Sequence, residues 1–275
     1  MPETQSALSE LPLETRSAAR RIFNIHNIYL RIGDHLEGIL APLNLARLDP
    51  TSSLDIESIA RRGLVTGFQV AETLPDGYAA EATLNRMDWK YALHLPLYHP
   101  GISATALCQF RQNLYDAPAG LQEFGRLLHN LGSFGLIAQY SLTAFEPQDF
   151  LMVVCNISRL TLLRQAMQSA LSMITAEAPA WLRSNMRSHW YDHYHARRLS
   201  PFLELVSPDA QAEAVTLGKD IRWLLDLVAR MSTPDLSGRA EISELARRWD
   251  EQFTLREGNI IWRQPGCARC SQSGV

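Results

Sequence analysis

Apolar residues in this chain recur three and four positions apart, in blocks separated by proline and glycine. That spacing puts them on one face of a helix, whereas a strand needs strict alternation. Ile25, Tyr29, Ile32, Leu36 and Ile39 predict a helix over residues 22–40. A second is predicted over 56–70, weakened by Gly63 and Gly67. Leu74, Pro75, Asp76 and Gly77 have turn chemistry, and a short helix is predicted after them over 79–91. Pro96, Pro100 and Gly101 make the next break, after which Ser103 suits the N-cap of a helix over 104–114. Leu121, Phe124, Leu128 and Leu131 share one face of a further helix over 121–131.

The second half begins with Phe-Leu-Met-Val-Val-Cys at 150–155, a run consistent with a buried strand or with the start of a long helix. Leu163, Met167, Leu171 and Ile174 are helically spaced. Ser207 and Pro208 have the chemistry of a helix start, leading to Leu217, Ile221, Leu224, Val228 and Met231. A last helix is predicted over 243–253. Residues 1–20 and 264–275 are polar or small and are expected to be disordered. The chain therefore reads as mainly α, a bundle with at most one or two short strands.

At 275 residues and 46% hydrophobic, the chain has material for one large or two modest cores. No apolar run is long enough to cross a bilayer, and the N-terminal MPETQSALSELPLETRSAARR is acidic where a signal peptide is basic. A cytoplasmic location without a membrane partner is expected. Cys108, Cys155, Cys267 and Cys270 lack the spacing of a disulfide framework, so reduced thiols are expected. The formal net charge of -3 argues against a binder driven by an overall basic surface, so any nucleic-acid contact must come from a local patch.

The segment RMDWKYALHLPLYHPG at 86–101 resembles the N-terminal domain of a group of insertion-sequence DDE transposases. In that family a similar phrase precedes a Pro-Gly break and a helix ending in Phe-Arg, which here is SATALCQFR at 103–111. LVTGFQ at 64–69, AAEA at 79–82, the stretch 151–163, APAWL at 178–182 and residues 251–263 extend the likeness at matching distances. The resemblance implies a helical, helix-turn-helix-like DNA-binding domain over 21–137, followed over 138–263 by the start of an RNase H-like catalytic domain carrying a helical insertion. Intact members cut and join DNA with three carboxylates holding divalent ions, usually Mg2+.

Glu146 aligns with the first of those carboxylates, followed by Pro147, which lacks a strand donor, and Asp149 aligns with a family histidine. The other two carboxylates lie beyond the matched region, and residues 264–275 do not resemble the family. The comparison thus implies a truncated transposase that binds double-stranded transposon-end DNA, with no cofactor of its own and no complete cleavage chemistry. Two alternatives stand beside it: a protein–protein module that pairs with itself or with an intact transposase and inhibits it, and a remnant without function.

The helix after Ser103 is the candidate recognition helix. Leu107, Phe110 and Leu114 form its inward stripe, leaving Thr105, Gln109 and Gln112 outside with Arg111 beside them. Gln and Arg can read base edges with two hydrogen bonds each. Arg61, Arg62, Arg86 and Lys90 are candidate phosphate contacts. Trp89 and Tyr91 read as packing residues. His189 and His193 have a zinc-chelating spacing, but Trp190, Tyr191 and Tyr194 around them favour a packed helix face.

Overall fold

Helices make up most of the chain in a computed structural model, which describes residues 8–136, 146–195, 208–230 and 236–263. They fall into two compact units, with the division between Cys155 and Asn156.

The first unit contains α1 (Leu13–Ile22), α2 (Ile28–Asp34), α3 (Leu36–Leu40), a 3-10 turn (Leu45–Arg47), α4 (Ile56–Glu72), α5 (Asp76–Asn85), α6 (Met87–Ala92), α7 (Ala104–Tyr115), α8 (Pro118–Ser133) and the start of α9 (Pro147–Glu177). Its core gathers around α4, whose Leu64, Val65 and Phe68 are fully buried together with Trp89, Phe110, Leu114 and Phe124. Tyr29, Phe68 and Trp89 pack ring against ring at 5.0–5.9 Å between centroids. α7 packs against α4, α5 and α8, while α6 packs against α1 and α2.

The second unit contains the rest of α9, then α10 (Pro179–Asn185), α11 (Ser188–His195), α12 (Pro208–Ala229), α13 (Ala240–Gln252), β1 (Phe253–Arg256) and β2 (Asn259–Trp262). The two strands pair antiparallel from Phe253 opposite Trp262 to Arg256 opposite Asn259. Glu257 and Gly258 turn the chain at φ 51° and 78°, the double positive φ of a tight hairpin.

The molecule is mainly α, as the apolar spacing requires, but several boundaries differ from expectation. Residues 13–20, expected to be disordered, belong to α1. Only Thr15 and Ala19 are buried from that helix, so small residues seat it where no apolar stripe announces it. The single helix expected over 22–40 is divided: Asn27 caps α2, its side chain accepting from the N–H groups of Tyr29 and Leu30. The short helix expected over 79–91 is likewise two, separated at Arg86 by extended backbone with ψ 117°. The run at 150–155 is helical. Phe150, Leu151, Val153, Val154 and Cys155 are all buried, and a helix apolar around its circumference is one surrounded by protein. Residues 264–275 lie outside the described residues. Among the described residues no helix is long and apolar enough to cross a membrane.

Candidate nucleic-acid interface

The phrase that carries the resemblance folds as a brace. Arg86 precedes α6 and chelates Asp88 with Nε at 3.0 Å and a terminal nitrogen at 2.7 Å, while its other nitrogen reaches Glu72 of α4 at 2.5 Å. Asp88 also accepts from the N–H of Trp89 at 2.9 Å. Glu72 in turn accepts from the Tyr29 hydroxyl. The Arg86 guanidinium lies 5.1 Å from the Tyr29 ring centroid and 5.0 Å from that of Trp89, a cation–π stack on both. Burial opposes its charge, but the hydrogen bonds and charges of Asp88 and Glu72 outweigh that and hold its pKa above the ordinary arginine value. Arg86 therefore joins α2, α4 and α6 and is not an outstretched phosphate contact.

Lys90 is 5% exposed, and burial lowers its pKa. Its ammonium donates to the carbonyls of Leu97 and, at 3.3 Å, His99. Arg61 is similarly occupied: its nitrogens donate to the carbonyls of Leu93 at 3.0 Å and His94 at 3.1 Å and pair with Glu57 at 2.5 Å. Arg62, one position on, is half-buried and has no side-chain hydrogen bond or ion pair among the described residues. Trp89 and Tyr91 are fully buried, as packing residues should be.

On α7, Ser103 is the N-cap, its Oγ accepting from the N–H of Ala106 at 3.2 Å. Leu107, Phe110 and Leu114 face inward and are fully buried. Arg111 does not stand beside the outer residues as expected. It is 1% exposed, donates to Asp76 at 2.6 Å and to Gln69 at 3.3 Å, and is closed to any base edge. Burial works against its charge, yet Asp76 more than compensates and raises its pKa. The outward face holds Thr105 and Gln109, both exposed, with Gln112 and Asn113 half-buried. Gln109 donates to Asn113 at 3.0 Å, and Asn113 donates to Asp49 at 3.0 Å, so the first amide is oriented by the second.

Asn113 is the residue the sequence argument passed over, although it stands one helical turn after Gln109. Of the eight expected contacts, the helix face thus brings together Thr105, Gln109 and Gln112, whereas Arg61, Arg86, Lys90 and Arg111 are engaged in internal contacts. The connection from α6 to α7 runs over residues 93–103, longer than the three- or four-residue turn of a helix-turn-helix.

Glu146 is exposed and immediately precedes α9, and its N–H donates to Asp149 at 2.9 Å. Asp149 is thereby a first-turn cap at the positive end of the helix dipole. These residues do not fit a divalent ion: one carboxylate is engaged by a backbone N–H, and the dipole disfavours a cation there. Among the described residues no group of three or more His, Cys, Asp and Glu side chains is placed to hold a metal. In the second unit His189 lies 2.9 Å from the buried carboxylate of Asp220, which also accepts from Arg187 and Tyr194. The His193 side chain, Cys267 and Cys270 lie outside the described residues. No family model, curated protein or solved structure matches the chain.

Proposed function

We propose that this chain is a double-stranded DNA-binding protein of the insertion-sequence transposase type, which holds transposon-end DNA with the outward face of α7. The supporting observation is the row Thr105, Gln109 and Gln112 on a helix whose opposite face is locked into the core by Phe110, Leu114 and the Arg111–Asp76 pair. Glutamine presents a donor and an acceptor that match the major-groove edge of adenine, and Asn113 pre-orients Gln109 for that contact. Thr105 lies in the first turn, the end of a recognition helix that meets base edges. Arg62 supplies a phosphate contact. In this reading α5, packed across α7, supports a helix-turn-helix-like unit. No strand-cleavage step is assigned to Glu146, because its surroundings suit a helix cap.

A second reading rests on Leu13, Ile22 and Ile25, which are 74%, 64% and 77% exposed around α1. Such residues suit burial against a second copy of the chain or an intact transposase. The test that separates the two is a titration of a labelled duplex, taken from the DNA flanking the encoding gene, at rising salt. The proposal expects binding at low salt with a shallow loss as salt rises, because Thr105, Gln109 and Gln112 are neutral and Arg62 is the one expected phosphate contact not engaged internally. Absence of binding at low salt, with dimerisation in sedimentation, would leave only the second reading.

A further inference from the structure

We infer that the loop over residues 93–102 is a preformed contact for the DNA backbone, with the Tyr98 hydroxyl donating a hydrogen bond to a phosphate; this rests on the DNA-binding reading above. Tyr98 is 94% exposed, the most exposed large hydrophobic among the described residues. It sits in a turn closed by the His99 N–H donating to the Pro96 carbonyl at 3.1 Å, flanked by exposed Pro96 and Pro100.

Everything beneath that tip is pinned. Arg61 of α4 holds the carbonyls of Leu93 and His94, Thr15 of α1 donates to that of Leu95 at 2.8 Å, and Lys90 of α6 holds those of Leu97 and His99. The far end is fixed by the Ile102 N–H donating to Thr83 at 2.8 Å. His94 keeps a left-handed φ of 51°. A loop ordered this thoroughly before binding loses little entropy on contact, which is the economy of a prearranged recognition element.

Burial, helped by the charges of Arg61 and Lys90, holds the His99 pKa down. The Gly101 N–H donates to His99 Nδ1 at 3.0 Å, so the neutral ring carries its proton on Nε2. The loop runs directly into the Ser103 cap of α7, so a duplex seated on Thr105 has its backbone near the loop. Tyrosine hydroxyls are among the ordinary phosphate donors, and such contacts hold register without reading sequence.

The test uses the full chain, the flanking-sequence duplex and a scrambled duplex of equal length, with Tyr98→Phe and Tyr98→Ala. Both variants are expected to weaken both duplexes alike, by about five- to tenfold. The dependence on salt should keep its wild-type slope, since no charge is lost, whereas Arg62→Ala should make it shallower by about one unit. Thermal unfolding should be unchanged, because the side chain is bare. Wild-type affinity in Tyr98→Phe overturns the inference while leaving the DNA-binding reading intact. Loss in Tyr98→Ala only also overturns it, because the contact is then the ring. A wild-type chain that binds neither duplex overturns both.

Discussion

Arg111 illustrates how a single side chain decides what a helix face offers. Its guanidinium and the Asp76 carboxylate pair at 2.6 Å with side chains 1% and 11% exposed. A buried pair of this kind adds modestly to stability while intact, but removing one partner strands the other's charge in the interior. Asp76→Asn is therefore predicted to lower the unfolding free energy by about 3–5 kcal/mol in urea denaturation, with Arg111→Met plus Asp76→Leu much closer to wild type. A wild-type midpoint for Asp76→Asn contradicts this role. Part of it was legible: Arg111 follows Leu107 by four positions and precedes Leu114 by three, so it shares their face. Its partners were not, since Asp76 and Gln69 lie 35 and 42 residues away. The same distance hid the engagement of Arg61 and Lys90 with loop carbonyls.

Among the elements, α4 shows how a cap couples stability to pH. Asp55 precedes it and accepts from the Ser58 N–H at 2.7 Å and the Ser58 hydroxyl at 3.0 Å, which hold its carboxyl below the ordinary value. The folded chain thus gives up that proton more readily than the unfolded one. The contribution is complete above the unfolded value and fades as pH falls through the lower folded value. Asp55→Ala should cost about 1 kcal/mol at neutral pH, with the difference from wild type closing below about pH 4. A difference constant from neutral pH to acid contradicts the cap.

Close helix crossings provide a sharper contrast. A Cβ on Gly33 of α2 would lie 2.7 Å from the Tyr91 ring and 2.8 Å from its carbonyl, whereas one on Gly38 meets nothing within 4 Å. Gly33→Ala should destabilise by about 1–3 kcal/mol, and Gly38→Ala should be neutral or slightly stabilising. Equal melting temperatures for the two variants would show that α2 and α6 do not approach this closely.

The elements also show what a linear reading holds. Ser103 and the stripe behind it located α7 almost to the residue. α1 escaped because Thr15 and Ala19 carry no hydrophobic period, and the break before α2 lay in an asparagine cap within an otherwise continuous apolar rhythm.

At the scale of the whole molecule, the helical class followed from periodicity, while the hairpin of β1 and β2 did not. Its four-residue strands are too short for a clear alternation, and only Glu257-Gly258 marks the turn. The charge balance carries more functional weight. With 26 basic against 29 acidic residues the chain carries no overall basic excess, and of the residues expected to meet phosphate Arg61, Arg86 and Lys90 are held internally. In the proposed DNA-binding reading the weight falls on direct contact from the amides of α7, which predicts specificity out of proportion to affinity.

The most direct measurement is the ratio of affinities for the flanking-sequence and scrambled duplexes, compared between wild type and Gln109→Ala by fluorescence anisotropy. The account predicts that the variant keeps its affinity for the scrambled duplex and loses about five- to a hundredfold on the flanking sequence, collapsing the ratio. An unchanged ratio, or an equal loss on both duplexes, would contradict base recognition by α7.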